Sequence, residues 1–488
     1  MNSAYILMAL GVWIFFGVII AYYARKHIGI TLNDFYLANK RLGGFISAMT
    51  YSATTYSAFM MIGLVGLVYS TGVGAFGFEI TYLMFTVFLL IIFGPRFWSA
   101  SKKYNYITPP EMMADRYNDK RVGIIASIIA LVMLIPYASV QMMGAGYLFS
   151  SLSNGQIPFM AGVIFMAGFS VFTAVWAGMK SVSWTDAFQA ITMIFSAIIL
   201  IVFIFYNFYE GPINFFASVQ QNTPELLKMN WDYKHFIGLT LPWAFFALAN
   251  PQVSQRLFVS KNIESLKKMI TYFSIFGLIY TVITTLLGFA AFNILPGLSK
   301  ADQAMPLLLT KVPVFLALII FVGIFAAASS TLGSIMLTLS SLTTRDIARV
   351  IKPNVSEKKE LLIGKTVIIL LGVVCILFSY LRLDLIAILS AMASGGLLVV
   401  VPSLIGVFFW KRGTAKGAIA SMSAGGLVTG VLYFMSYLWF GGVKWWPSVV
   451  GFSVTVLLFV VVSFLTKPPD EAEKFIFEVR KYMEKQGF

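Results

Sequence analysis

The segment AAASSTLGS, at 326–334, contains residue types that could bind an ion. It lies inside an apolar stretch at 313–342 that is long enough to cross a bilayer, where an unsatisfied hydroxyl is costly. Ala327, Ser330 and Thr331 stand at i, i+3 and i+4, so one carbonyl and two hydroxyls share a helix face. Uncharged, hard oxygens suit a small alkali cation such as Na⁺. Small residues also line close helix–helix contacts, so this segment alone supports either interpretation.

The composition around this segment is that of a polytopic membrane protein. Of the 488 residues, 59% are hydrophobic and 11% are charged, and the mean hydropathy is +0.85. Apolar runs of spanning length predict an all-α fold of about 13 transmembrane helices. These runs lie at 4–24, 43–71, 74–98, 122–152, 158–178, 184–206, 236–260, 264–296, 313–342, 361–381, 384–410, 416–440 and 446–466.

Positive charge alternates along the chain in a pattern that predicts membrane orientation. Most of the 35 Lys and Arg residues fall in loops and a tail that are cytoplasmic if the N-terminus is outside. The net charge is +15, and we interpret the distribution of its positive residues as the signal that orients the protein in a plasma membrane. We therefore expect a lipid bilayer rather than nucleic acid as the partner. The external positive residues are Lys228, Lys234, Lys300, Lys311, Arg382 and Lys444.

Polar or helix-breaking residues interrupt two of the predicted spans. The sequence SATT at 52–55 interrupts the span 43–71, and Asn250 with Pro251 interrupts the span 236–260. Corresponding interruptions in two halves of a chain indicate an inverted-repeat transporter with a site near the bilayer midplane. The sequence predicts a transporter domain at 1–466 and a cytoplasmic amphipathic tail at 467–488. Within the domain, repeat one lies at about 43–206 and repeat two at about 236–410. One extra helix precedes the repeats and two extra helices follow them.

The chain also carries a series of short motifs. They are DFYLANKRLGG at 34–44, SATTYSA at 52–58, ITPPEMMADRY at 107–117, GMKSVSWTDAFQ at 178–189, and AAASSTLGS followed by TTRD at 343–346. In this order and at these spacings they resemble the sodium:solute symporter family, which includes sodium/proline, sodium/pantothenate, sodium/sialic acid and sodium/glucose transporters. The resemblance implies a leucine-transporter-like fold of two inverted five-helix repeats, with broken first and sixth core helices and transport by alternating access.

The resemblance implies that the hydroxyl face binds the coupling sodium. In the family, the principal sodium site takes two carbonyls from the unwound first core helix, and a carbonyl and two hydroxyls from the eighth. The corresponding positions are Ala53 and Tyr56, then Ala327, Ser330 and Thr331. An unwound turn supplies carbonyls without intrahelical partners. The expected coupling ion is therefore Na⁺, and no organic cofactor is implied.

Asp186, in the motif WTDAFQ, has two interpretations. As an interfacial residue, it would be hydrated and would cap a helix. By the resemblance, it would bind a second sodium together with serines of the eighth core helix, or lie on the sodium exit route. Of the two serine positions, Ser334 carries a hydroxyl here, whereas the other is Gly333.

The resemblance further implies a solute pocket between the broken helices, one layer outward from sodium. An aromatic and proline set within it resembles that of the proline transporters, although Thr55 stands where those proteins carry an Asp and Ala247 where they carry a Tyr. The candidate lining residues are Thr55, Phe59, Met60, Glu79, Tyr137, Gln141, Trp243, Ala247, Pro251 and Ser394.

Glu79 leaves the solute class open. It is a lone acid in an apolar span, and a matching Glu lines the sugar site of sodium/sugar transporters; alternatively, it is a hydrogen-bonded structural residue. We place no Arg or Lys within the spans to bind a carboxylate, which disfavours a sialic-acid-like mode. A small polar solute, with an amino acid such as proline favoured, fits best, and a sugar, pantothenate or an organic acid is the alternative.

Sodium-coupled symport by alternating access is the predicted function. The expected partners are Na⁺, a small-molecule substrate and the bilayer, with no obligate protein partner. A solute sensor is a rival of a different class, but the short tail leaves little room for a signalling domain. A membrane enzyme is disfavoured because the spans lack paired acids, metal ligands and a base-activated nucleophile. Proton coupling would need a titrating acid at the ion site.

Overall fold

The computed structural model describes residues 2–25, 31–383, 385–440, 444 and 446–488. Within them the regular structure is helical, apart from an isolated bridge between Leu42 and Ser260. The first half contains α1 Ser3–Arg25, α2 Leu32–Leu37, α3 Gly44–Thr55, α4 Phe59–Thr71, α5 Val73–Tyr104, α6 Pro109–Arg116, α7 Lys120–Leu152, α8 Phe159–Trp176, α9 Gly178–Tyr209 and α10 Pro212–Asn222.

The second half continues with a similar succession of long and interrupted helices. Its helices are α11 Tyr233–Ala244, α12 Phe246–Ala249, α13 Pro251–Ser254, α14 Ile263–Ile294, α15 Ala304–Leu308, α16 Val314–Leu342, α17 Glu357–Leu381, α18 Ile386–Leu397, α19 Val401–Phe409, α20 Ala415–Phe440, α21 Trp446–Leu465 and α22 Ala472–Lys485.

The span predicted at 43–71 is a broken helix. Helix α3 ends at Thr55, Tyr56 has extended backbone angles (φ −92°, ψ 100°), and α4 begins at Phe59. The two pieces meet at an angle of 50°. The predicted interruption is therefore present, but it begins just after the SATT sequence rather than within it.

The span predicted at 236–260 is also broken. Helix α11 ends at Ala244, and Asn250 has extended angles (φ −89°, ψ 110°) before Pro251 begins α13. Proline suits a first helical position because it has no N–H to leave unsatisfied there. Each half of the chain thus contains one interrupted membrane helix.

The predicted fold class is confirmed. The described residues contain 12 helices long and apolar enough to span a membrane, or 13 when the bent pair α3 and α4 is counted as one span. Helices α8 and α9 form one helical run that bends at Gly178, where φ is 64°. This bend separates the two spans predicted at 158–178 and 184–206. A Cβ at Gly178 would lie 3.0 Å from the Phe35 ring, so glycine suits both the backbone angle and the packing.

A short bridge ties the two broken helices together near one end of the bundle. Leu42, just before α3, accepts from the Lys261 N–H at 2.9 Å and donates to the Val259 carbonyl at 3.0 Å. The Trp98 indole of α5 donates to the Ser260 carbonyl at 2.9 Å. The start of one broken helix is therefore fixed to the end of the other.

The C-terminal helix α22 packs against the bundle. The ring of Phe475 stacks on that of Tyr104 at 5.3 Å between centroids. Glu478 accepts a hydrogen bond from the Tyr104 hydroxyl at 2.8 Å and pairs with Lys103 at 3.0 Å. The amphipathic pattern of the tail therefore corresponds to a helix that packs against the bundle.

Gly277 of α14 allows the break after α3 to be packed tightly. The Tyr56 ring is buried and stacks on Phe273 and Phe276. A Cβ at Gly277 would overlap the Tyr56 hydroxyl and lie 2.8 Å from Leu83 Cδ1. We expect Gly277→Ala to destabilise the protein by about 1–3 kcal/mol through overpacking.

Thermal unfolding of the purified protein in detergent measures this effect. Gly168→Ala in α8 is the matched control, because a Cβ there meets nothing within 4 Å. The control should unfold at or slightly above the wild-type temperature. Equal unfolding temperatures of the two variants would show that the packing of Tyr56 does not depend on the space at Gly277.

Candidate functional site

The two hydroxyls of α16 converge on a carbonyl at the end of α3. Ser330 Oγ donates to the Ala53 carbonyl at 2.8 Å and to the Ala327 carbonyl at 3.1 Å. Thr331 Oγ1 lies 3.0 Å from the Ala53 carbonyl and 3.3 Å from that of Thr54. All of these residues are buried, so five neutral oxygens from two helices meet in a small volume away from solvent.

The break after α3 explains why these carbonyls are available. The Ala58 N–H donates to the Gln141 side-chain oxygen at 3.0 Å, so it does not serve the Thr54 carbonyl four residues earlier. The last backbone bond of α3 runs from the Tyr56 N–H to Ser52 at 2.8 Å. Carbonyls released in this way need other partners.

The structure thus brings four of the predicted sodium residues together at the crossing of α3 and α16. Ala53, Ala327, Ser330 and Thr331 are joined by the contacts above. Tyr56 lies in the break itself, and its ring is anchored in the aromatic cluster of α14. Its side chain therefore fixes the break in place, a role that the sequence did not reveal.

Asp186 lies in the protein interior beside an arginine. Its side chain is 2% exposed, and its Oδ2 lies 3.3 Å from Nη2 of Arg256, whose side chain is fully buried. Thr50 Oγ1 donates to the same carboxylate at 2.6 Å. The interpretation of Asp186 as a hydrated interfacial cap is therefore wrong.

Arg256 is the principal site residue that the sequence reasoning missed. It follows α13 in the short helix Gln255–Phe258, inside the membrane span Tyr233–Phe258. The expectation of no Arg or Lys within the spans is therefore wrong. The signal was present, because Arg256 falls inside the predicted span 236–260.

Ser334 connects this ion pair to the hydroxyl cluster. Its hydroxyl lies 3.0 Å from Thr54 Oγ1 and accepts a hydrogen bond from Arg256. Arg256 Nε also donates to Thr50 Oγ1 at 3.1 Å, and Nη1 donates to the Gln252 carbonyl at 2.8 Å. The network therefore joins α3, α9 and α16 to the second broken helix, one helical turn from Ser330.

An aromatic cluster lies between the two broken helices. The rings of Phe59 and Trp243 are 4.7 Å apart, and Trp243 stacks on Phe246 at 5.1 Å with an interplanar angle of 6°. Tyr137 contacts Phe246 edge-on at 6.1 Å. Three predicted pocket residues are thus brought together, and Phe246, which was not predicted, joins two of them.

The remaining candidate pocket residues are buried, and several carry polar atoms without a hydrogen-bond partner among the described residues. The unpaired atoms are Thr55 Oγ1, both carboxylate oxygens of Glu79, Trp243 Nε1 and Ser394 Oγ. Such atoms are costly to bury unless a ligand satisfies them. Gln141, in contrast, uses its side chain to hold the break. The apolar candidates Met60, Ala247 and Pro251 are also buried.

Two interrupted helices at corresponding places in a helical membrane bundle define a transporter of the leucine-transporter-like class. The chain belongs to the sodium:solute symporter family, whose model matches residues 35–425. The sequence resemblance is thereby confirmed. The protein is a multi-pass membrane protein and a sodium-coupled symporter.

Characterised relatives match almost the whole chain. The sodium/pantothenate symporter of Escherichia coli (strain K12) is 26% identical over 457 residues, covering 91% of this chain and 93% of that protein. The osmoregulated proline transporter OpuE of Bacillus subtilis (strain 168) is 24% identical and covers 99% of both chains. Among solved structures, a Na⁺-coupled sialic acid symporter in a substrate-bound, outward-open state has a TM-score of 0.81 at 18% identity, over 95% of this chain and 98% of its own.

Gln141 offers a test of how the break is maintained. We expect Gln141→Leu to cost about 1–3 kcal/mol, because it leaves the buried Ala58 N–H without its acceptor. Thermal unfolding in detergent measures the loss. Gln220→Leu, at an exposed position of α10, is the control for the change of residue type and should leave the unfolding temperature almost unchanged. A wild-type unfolding temperature for Gln141→Leu would contradict this role.

Proposed function

We propose that this symporter imports a small polar organic solute, with a zwitterionic amino acid such as proline favoured. The observation that carries the proposal is the convergence of two α16 hydroxyls on the Ala53 carbonyl beside a helix break. Neutral oxygens held at a break are suited to a cation that replaces lost hydrogen bonds. The proposed sodium ligands are Ala53, Tyr56, Ala327, Ser330 and Thr331.

Coupling follows from the position of this site. The carbonyl of Ala53 belongs to the broken helix, and the hydroxyls belong to the unbroken α16. Sodium bound between them would hold the break in one shape. Phe59 begins the other side of that break and contacts Trp243 of the aromatic cluster, so a solute there would favour the same shape. Each ligand then raises the affinity for the other.

The chemistry of the buried groups supports a small solute with polar ends. The aromatic cluster offers flat apolar surfaces, and the unpaired atoms of Thr55, Trp243 and Ser394 offer hydrogen bonds. The named functions of the relatives, which transport proline and pantothenate, support the same range. Glu79 supports a sugar or another hydroxylated solute as the second candidate, because an acid accepts hydrogen bonds from hydroxyl groups.

The same proposal covers the organisation of the chain. Residues 1–466 form the transporter domain, with repeats at about 43–206 and 236–410, and 467–488 form a cytoplasmic tail. The N-terminus is external, in a plasma membrane, which the distribution of Lys and Arg supports. The protein acts as a transporter rather than as an enzyme or a solute sensor.

Uptake into proteoliposomes tests the function directly. Purified protein is reconstituted, and uptake of labelled proline, pantothenate, a sugar and short organic acids is compared with and without an inward sodium gradient. We expect sodium-dependent accumulation of one class, abolished when potassium replaces sodium. Accumulation driven equally by a proton gradient without sodium would contradict the proposal.

The sodium ligands are tested by single hydroxyl deletions. We expect Ser330→Ala and Thr331→Ala each to raise the sodium concentration for half-maximal uptake by about 5-fold or more, which corresponds to about 1 kcal/mol for one polar contact. Ser329→Ala is the control, because Ser329 bonds instead to Gln189 and the Ala326 carbonyl. It should keep the wild-type sodium dependence. Three identical sodium curves would reject the site.

Glu79 is tested by its uncharged isostere. Both of its oxygens are buried without a partner among the described residues. If they face the solute, Glu79→Gln should change the relative uptake of the substrates or raise the solute concentration for half-maximal uptake, with unchanged sodium dependence at saturating solute. Wild-type uptake of every transported solute would make Glu79 a structural residue.

A further inference from the structure

Arg96 is a basic residue of α5 without an acidic partner. It lies inside the span Val73–Tyr104, toward its end. Its guanidinium donates to the Ile92 carbonyl and lies 4.5 Å from the centroid of the Phe409 ring. Among the described residues it forms no ion pair. An arginine in a membrane span is costly unless its charged end reaches the interface or meets an anion.

A cleft lies beside Arg96, between the ends of α5 and α19 and the C-terminal helix α22. Its volume is about 440 Å³, within the usual range of small-molecule sites. Its lining combines the guanidinium groups of Arg96 and Arg480 with apolar surface from Phe408, Phe409 and Ile476. The cleft therefore presents positive charge next to aromatic and aliphatic side chains.

A second cleft adjoins the first and extends its basic surface. The two share Phe409 and Arg480, and the second adds Lys411, Lys474 and the ring of Phe477. Phe409 is 50% exposed and Phe477 60% exposed. Basic and exposed apolar groups thus continue side by side along α22.

The acidic side chains of the two clefts do not cancel this positive charge. Glu484 pairs with Arg480 at 3.0 Å, and Glu473 pairs with Lys411 at 3.3 Å. All four side chains are more than half exposed, and exposed pairs of this kind hold their members weakly. The two remaining basic residues form no ion pair among the described residues, so a net positive charge remains.

An exposed apolar face leads from Arg96 along α5 into the membrane span. Ile92, Phe88 and Phe85 precede Arg96 at helical spacing, so they share its side of the helix. Phe88 is 57% exposed and Phe85 is 45% exposed. A ligand with a charged head and long apolar chains would contact the cleft and this face together.

We propose that this cleft binds the headgroup of an anionic phospholipid from the adjacent leaflet. The phosphate contacts Arg96 and Arg480, and the acyl chains lie along Phe88 and Phe85. Guanidinium groups suit this role because their planar N–H donors match the oxygens of a phosphate. Basic pockets between membrane helices are typical sites for such headgroups. The bound lipid links α22 to α5, whereas a soluble anion would leave the apolar face unused.

Native mass spectrometry of the full chain in a non-ionic detergent tests this proposal, because it resolves each bound phospholipid and measures its affinity. Phosphatidylglycerol and phosphatidylcholine with identical acyl chains are titrated separately. We expect the first phosphatidylglycerol to bind more tightly than phosphatidylcholine by about 5-fold or more, the effect of one charge near a membrane surface.

Variants of the cleft locate the binding. We expect Arg96→Gln to weaken phosphatidylglycerol binding by about 5-fold, and Lys474→Gln/Arg480→Gln by about 25-fold, because each basic group contributes separately. The matched control is Lys358→Gln/Lys359→Gln, which removes two exposed charges from the start of α17, outside both clefts. It should bind both lipids as the wild type does.

The other outcomes overturn the proposal. Equal affinity for the two lipids, wild-type binding in the cleft variants, or an equal loss in the control would each show that the cleft does not recognise an anionic lipid. Displacement of phosphatidylglycerol by millimolar inorganic phosphate would make the site one for a free anion. If Arg96→Gln does not yield folded protein, Lys474→Gln/Arg480→Gln decides the matter, because both of its positions are exposed.

Discussion

Backbone groups inside a bilayer must find partners within the protein, and this constraint organises the centre of the molecule. Helical hydrogen bonding stops after Thr55, and side chains from other helices take up the groups that are released. Gln141 accepts from the Ala58 N–H, and Ser330 and Thr331 donate to the Ala53 carbonyl. The place where the helix is interrupted is therefore also the place where oxygen atoms converge.

Buried charged side chains also need partners within the protein, and they differ in the partners that they have. Asp186 is neutralised by Arg256 and bonded by Thr50. Lys40, outside the spans, donates to the Ser101 carbonyl at 2.7 Å and to Asn105 at 3.1 Å, and burial lowers its pKa to about 7. Glu79 has neither kind of partner among the described residues. That contrast is the structural reason to test Glu79 as a contact to the solute.

Sequence patterns predicted the membrane helices well because apolar length is a local property. The hydroxyl face of α16 was also predictable, since helical spacing places Ser330 and Thr331 on one side. Contacts between distant segments were not. Arg256 was missed because nothing local indicates that Asp186 faces it. Phe246 is one aromatic residue among many in apolar spans, and the packing of Tyr56 against Gly277 depends on a helix more than 200 residues away.

The bridge between Leu42 and Ser260 connects the two broken helices on which these separate contacts lie. It joins the start of α3 to the segment after Arg256, so the Ala53 carbonyl and the guanidinium belong to one tied unit. Their partners belong to long helices outside that tie, because Ser330 lies on α16 and Asp186 on α9. A displacement of the tied unit relative to α9 and α16 must therefore alter the oxygen cluster and the ion pair together. Both sets of contacts are thus linked to movement of the broken helices by this geometry.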